Sequence, residues 1–505
     1  MARSGRSRYS SAHGSSYAPQ NMRAWVARAT RPPPSGPEGR ALRRAFYVAI
    51  AVVLAAVYVQ IVLEGPQGDR IPPLPVVGGR PAGDAAGEAA SLPALTPDPD
   101  AERALPSWDA PWEGELLPGR DSLADALLSD AGRAAWAFLD RNYSPTTGLV
   151  RAHDEYRFVT MWDVASTLAG YHAAARLGLA EREVARARTA RALRTLAEAR
   201  LFDGALFNKV YDAETGQPVD AESAPSEDGY GWSAIDMGRL LLWLRILREA
   251  EPELAPLVDS VVARLEPERA VDDGYLMGRE RGPARGLHAY QEGRIGYEQY
   301  AARGFEAWGV DAGAAGDLFA HVVVDSVHGR PVPRDARGTD CLTSEPVVLA
   351  GLEIGWDEAW GEVARAALEA QHARYADTGQ VTIVSEDASS TPPHYFYYYC
   401  ITGDGEPFPV RAKGEGALLD GPRAVSTKGA LAWYALAPSP YTALAVVTIA
   451  GGVDPEGRWP AGVLEGSGAA SGVENVNTAG VVLEAALYAR DGRPFLTSHS
   501  FRERP

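Results

Sequence analysis

The sequence predicts an all-α ring built from six helical hairpins. Twelve stretches between residues 121 and 489 repeat apolar residues at i, i+3, i+4 and i+7. Their connections alternate between tight and long. In an up-down helical array alternate connections lie on opposite ends, so the long loops gather on one face, where a site is built. Each long loop also enters its helix through a polar or aromatic turn.

In chain order the predicted helices are 121–141, 160–177, 180–201, 233–250, 252–265, 296–308, 312–324, 343–354, 357–375, 427–436, 440–450 and 477–489. The first aligns Leu123, Ala126, Leu127, Ala134, Ala135 and Phe138. Gly178-Leu179 and Gly355-Trp356 make tight turns, and the other short connections fall near 251, 310 and 438. The long ones cover 142–159, 202–232, 266–295, 325–342, 376–426 and 451–476, with strand-like pieces at 381–385 and 395–401 in the longest.

The six entries are Thr160-Met161-Trp162-Asp163, Ser233-Ala234-Ile235-Asp236, Tyr297-Glu298-Gln299-Tyr300, Thr343-Ser344-Glu345-Pro346, Ser426-Thr427-Lys428 and Asn475-Val476-Asn477-Thr478. Ordinary helix capping explains a Ser, Thr or Asn before a helix and an acid in its first turn. Six such entries at one end, alternating with six plainer helices, also describe the rim of a barrel with six inner and six outer helices.

Hydrophobic residues make up 46% of the 505 and charged residues 23%, which is globular and ample for a core. Residues 1–44 hold nine arginines against Glu38, a balance of +8, so the rest carries −25 of the net −17. Such an acidic body excludes nucleic acid as the expected partner. Residues 45–63 are apolar except for Gln60, long enough to cross a bilayer as one helix. The long basic flank and the lack of a small-residue cleavage site favour an uncleaved anchor over a signal peptide. By the positive-inside rule residues 1–44 form a basic cytoplasmic tail, disordered and near anionic lipid. Residues 64–106 form a Pro/Gly/Ala-rich tether, and 107–505 a domain facing the periplasm of a bacterial inner membrane. Cys341 and Cys400 are the only cysteines; an oxidising compartment permits a disulfide, and two buried thiols is the other reading. No metal or cofactor motif is present: there is no His-Glu-x-x-His, no phosphate loop and no dinucleotide fingerprint.

The motifs Val159-Thr160-x-Trp162-Asp163, Ser233-x-x-Asp236, Tyr297-Glu298-Gln299-Tyr300, Thr343-Ser344-Glu345-Pro346, Ser426-Thr427-Lys428 and Asn477-Thr478 resemble a bacterial domain family of unknown function. That family is placed near the glucoamylase-like and β-1,2-glucanase glycoside hydrolases, and the similarity covers about residues 130–495. The resemblance implies an (α/α)6 toroid and work on carbohydrate.

Glycoside hydrolysis needs one carboxylic acid and one carboxylate; inverting enzymes hold them ~6.5–9.5 Å apart. Glu345 is the expected acid, because Pro346 and Val347-Val348-Leu349 behind it promise desolvation; a plain first-turn acid is the equal alternative. Asp163 or Glu298 is the expected base, with Glu386 next. Asp236 joins the substrate-binding set or forms an ion pair with Arg239. Trp162, Trp232, Tyr297, Tyr300, Lys428 and Trp459 complete that set, with the Trp rings as stacking faces. In the run 394–399 about half of the rings are expected to be core. The expected function is hydrolysis of a glucan-type polysaccharide with inversion. A polysaccharide lyase using Tyr300 or His394 as base, with Arg294, Arg303, Arg334, Arg337 and Lys428 for charge, is one alternative. A non-catalytic glycan-binding module of the envelope is the other.

Overall fold

A computed structural model describes residues 111–282, 286–338, 342–412 and 418–496. The tail 1–44, the anchor 45–63 and the tether 64–106 lie outside them. Among the described residues no helix is long and apolar enough to cross a membrane. Cys400 is a free, buried thiol, and Cys341 lies outside the described residues.

Among the described residues twelve α-helices follow in order: α1 (Ser122–Arg141), α2 (Met161–Leu177), α3 (Arg182–Glu198), α4 (Ala234–Ala250), α5 (Ala255–Val262), α6 (Tyr297–Glu306), α7 (Gly313–Gly316), α8 (Ser344–Glu353), α9 (Glu358–Thr378), α10 (Thr427–Leu436), α11 (Pro440–Ala450) and α12 (Val476–Asp491). The even-numbered helices close a ring: α2 packs on α4, α4 on α6, and so on to α12, which packs back on α2. The odd-numbered helices pack outside them. This is an (α/α)6 toroid, and every inner helix begins behind a long loop.

Inner helices are buried nearly all round, as in α4, where Leu240, Leu241, Leu242, Trp243 and Leu244 are all core. Small residues let their axes approach. A methyl on Gly304 would lie 1.8 Å from the Gly238 carbonyl oxygen, and one on Gly238 would lie 2.4 Å from that of Ala301. Gly304→Ala therefore forces α4 and α6 apart and is expected to lower stability by about 1–3 kcal/mol. An unchanged urea midpoint for that variant would show that the two helices do not cross this closely.

The fold is not all-α, because the long loops carry antiparallel sheet. Helix 312–324 shrinks to the single turn α7. Gly313 and Gly316 weaken it, and the β-branched run Val322-Val323-Val324 pairs as a strand instead. Two long hairpins rise from the loops: one pairs Tyr275–Gly282 with Gly286–Gln291, the other Val322–Val327 with Arg330–Asp335. His328 and Gly329 both take positive φ (48° and 74°) at the second turn, as a two-residue hairpin turn demands. The longest loop forms a four-stranded sheet: β1 (Glu386–Ala388), β2 (Tyr395–Tyr398), β3 (Val410–Ala412) and β4 (Leu418–Leu419). The strand expected at 381–385 thus falls a few residues later, at β1.

Candidate active site

Capping and site building turn out to use neighbouring residues. Thr160 Oγ1 accepts from the Asp163 N–H at 3.2 Å, Ser233 Oγ from Asp236 at 3.1 Å, Ser426 Oγ from Gly429 at 3.3 Å and Asn475 Oδ1 from Thr478 at 2.7 Å. The cap side chain serves the backbone, and the first or second helical residue turns inward. Trp162, Tyr297, Glu345, Lys428 and Asn477 are such residues, on α2, α6, α8, α10 and α12.

All five meet at the Glu345 carboxylate, which is 1% exposed. Its Oε1 accepts from Trp162 Nε1 at 2.9 Å and from Asn477 Nδ2 at 2.6 Å. Its Oε2 pairs with Lys428 Nζ at 2.6 Å and stands 3.5 Å from the Tyr297 hydroxyl. The sixth inner helix, α4, sends the Arg239 charge from below. Burial works to raise the Glu345 pKa, but Lys428, the Asn477 hydrogen bond and Arg239 overcome it and hold the group below its ordinary value. The expectation that Glu345 is kept protonated is therefore reversed. The apolar residues behind it do desolvate it, but a partner from each neighbouring helix stabilises the anion.

Glu386, beside Glu345, is pushed the opposite way. In the β1–β2 ladder Glu386 faces Tyr397, and Asp387 faces the buried Phe396. This alternation puts Glu386 on the site side with Tyr395, whose hydroxyl donates to Oε2 at 3.2 Å. Burial, then the charge of Glu345, push Glu386 up to about 8, against Lys428 and hydrogen bonds from Tyr297 and Tyr395. The Tyr297 hydroxyl thus touches both carboxyls. Burial pushes Asp387 to about 7, with Lys428 and Ser426 opposing. Tyr397 and Tyr399 stack with centroids 6.1 Å apart; Phe396, Tyr398 and Tyr399 are core, while Tyr395 and Tyr397 are partly exposed.

Other expected site residues are placed elsewhere. Asp163 Oδ2 accepts from its cap residue's N–H at 3.0 Å, completing a capping box. Glu298 is fully buried against Arg337 at 2.6 Å and Gln291 at 2.8 Å. Asp236 stands beside Glu292, which accepts from the Ala234 N–H at 2.6 Å. Burial, then Asp236, push Glu292 to about 7. Arg239 turns away from Asp236 into the core.

Three expected sugar contacts are buried. Tyr300 donates to Glu353 at 2.5 Å below the site. Trp232 lies under the first long hairpin, donating to the Met277 carbonyl at 3.1 Å with the Arg279 guanidinium 5.2 Å over its ring. Trp459 lies between α1 and α12, beside Phe138 and Val482. Trp162 is itself walled edge-on by Tyr297 and Tyr300 at 5.6 and 5.8 Å, so it positions Glu345 rather than offering a face. His394 is exposed, and Arg303, Arg334, Arg337 and Lys428 are each paired with a carboxylate. Asn477, Glu292 and Arg239 are not among the catalytic or substrate-binding residues expected from the sequence. For Asn477 the available signal was its place, second in a helix that follows a capped long loop.

The raised carboxyls make stability depend on pH. A folded acid with a raised pKa keeps a proton that the unfolded chain releases. Its contribution is complete below the ordinary carboxylate range and is lost as pH climbs through 7 to 8. The melting temperature should therefore fall as pH climbs from the ordinary carboxylate value of 4.5 to about 8, the window set by these groups, and level off above it. Asp387→Asn should flatten part of that slope in calorimetry; an unchanged slope would remove Asp387 from the set.

The ring of six hairpins, with Glu345 at an inner-helix entry and Glu386 on the sheet of the longest loop, defines an (α/α)6 toroid. The chain belongs to the family described as protein of unknown function (DUF3131), whose profile matches residues 130–492. No curated protein matches it by sequence. Among solved structures it resembles a proposed glucoamylase from Bacteroides uniformis at 11% identity and TM-score 0.59, over 77% of this chain and 96% of that one. It also resembles an endo-β-1,2-glucanase from Chitinophaga pinensis at 12% identity and TM-score 0.53, over 73% and 93%. A β-1,2-glucanase from Parabacteroides distasonis matches at 13% and 0.54, over 76% of this chain and 58% of that one. At such identities the likeness is one of fold.

Proposed function

We propose that this chain is a glycoside hydrolase acting on a glucan-type polysaccharide, held at the periplasmic face of a bacterial inner membrane by residues 45–63. The observation that carries the reading is the pair at the Tyr297 hydroxyl: Glu386 pushed up to about 8 beside Glu345 held ionised. Environments that drive two neighbouring carboxyls apart mark acid and anion roles. Glu386 gives its proton to the leaving glycosidic oxygen. Glu345 supplies fixed negative charge to the oxocarbenium-like transition state.

Both Glu345 oxygens already hold close donors, which leaves it poorly placed as a nucleophile. Water is then the attacking group, and inversion is the proposed course. A base for that water works best near neutrality, and Glu292 and Asp387, each pushed to about 7 by burial, are the candidates among the described carboxyls. The solved glucanases support a glucan as substrate at the level of fold. A uronate is disfavoured because Lys428 already pairs with Glu345.

The test is a glycan panel, including β-1,2-glucan, with the full chain in detergent, following reducing ends, unsaturated-product absorbance and the anomer first released. New reducing ends with inverted anomer are expected. Unsaturated products would replace hydrolysis with elimination, and tight binding without turnover would leave a glycan-binding module. Fractionation of cells tests the anchor, with loss of residues 45–63 expected to release the chain from the membrane.

A further inference from the structure

Below the Glu345 carboxylate lies a second buried polar layer that the chemistry above does not use. Arg239 is fully buried. Its Nη1 donates to Ser166 Oγ at 2.7 Å and to Asn477 Oδ1 at 3.0 Å, and its Nη2 donates to Glu484 Oε1 at 3.1 Å. Its guanidinium carbon stands 4.7 Å from the Trp162 ring centroid. Glu353 lies 3.7 Å from Arg239 Nε and also accepts from Trp243 at 2.8 Å. Burial, then the charge of Glu353, push Glu484 well above the ordinary carboxylate range, and burial raises Glu353 as well, so the two carboxyls share one proton. One arginine and one shared-proton pair are neutral together, so Arg239 does not require Glu345 as its counter-ion.

The Asn477 amide sits between this layer and the site. With Oδ1 on Arg239 and Nδ2 on Glu345, both ends are satisfied. The flipped amide would set N–H against guanidinium and oxygen against carboxylate, and buried mismatches of that kind are costly.

We propose that Arg239 is a positioning residue of the active site, fixing the Asn477 amide and the Trp162 ring so that both donate to one oxygen of Glu345. The inference rests on the reading of Glu345 and Glu386 as the working carboxyls. Charged and titratable groups facing Glu345 are Lys428 from α10, Tyr297 from α6, Arg239 from α4, and Glu386, Asp387 and Tyr395 from the sheet. From α2 and α12 come the neutral donors Trp162 and Asn477.

The test reads Glu345 itself, with no substrate present. The full chain carries 13C-carboxyl glutamate, and the Glu345 signal is assigned by its loss in Glu345→Gln. Arg239→Lys keeps the charge and removes the fork; Asn477→Leu removes the amide. Each is expected to raise the Glu345 midpoint by about one pH unit, and the double variant to shift it by less than the sum of the two, because Asn477 is one of the links through which Arg239 acts. A purely structural arginine would lower the melting temperature and leave the midpoint in place, which overturns the proposal, as would additive shifts. If Arg239→Lys does not fold, an unmoved midpoint in Asn477→Leu breaks the relay at its last link and overturns it equally. A chain that hydrolyses no glycan yet shows the shared shift overturns the catalytic reading and not the relay.

Discussion

Glu386→Gln is expected to lower kcat on unactivated glucan by about 10²–10⁴-fold, the range for loss of a general acid, with KM little changed. The basic limb of the pH–rate profile, set by a group near 8, should disappear with it. An aryl glycoside whose leaving group departs without a proton should retain most of its rate. That rescue separates an acid from a residue that merely shapes the pocket. Loss of under about tenfold on glucan would take Glu386 out of the acid role. The expectation follows from the strand register, which puts Glu386 on the side of Tyr395 and within reach of Tyr297.

Lys428→Met is expected to destabilise the fold by about 3–5 kcal/mol at neutral pH, because it strands a buried carboxylate. Lys428 and Glu345 side chains are 2% and 1% exposed, so water cannot replace the lost partner. The sign with pH is specific. In the wild type Glu345 is depressed, so its contribution is present above the ordinary value of 4.5 and is lost as pH falls through the lower folded value. Without Lys428, burial dominates and the pKa rises, so the deficit of the variant should shrink in acid, where Glu345 takes up a proton. Lys428→Met/Glu345→Gln should recover much of the loss. A deficit equal at pH 5 and pH 8 in urea titrations would mean that packing, not charge, is what the lysine contributes.

The helical array was legible because it is written locally. Apolar spacing marks a helix, Gly178 in the left-handed region ends one, and a capping residue such as Thr160 starts the next; all act within a turn or two of chain. The alternation of loop lengths then leaves few ways to arrange twelve helices. The failures were local conflicts settled by distant partners. Val322-Val323-Val324 reads as the end of a helix until residues 330–335 offer it a ladder.

The site was legible in its residue types and its face, but not in its roles. Glu345, Trp162, Tyr297, Lys428 and Glu386 are all in the sequence as candidates, and they do converge. What each one does depends largely on groups distant in the chain, such as Trp162 donating to Glu345 and the charge of Glu345 acting on Glu386. By itself the sequence determined the helices, their hairpin order and the end on which a site is built, because propensity, caps and periodicity are short-range. Only the tertiary structure decided which carboxyl keeps its proton. Desolvation and Coulomb interactions act through space, and the ring brings residues from four other helix entries within a few ångströms of the Glu345 carboxylate.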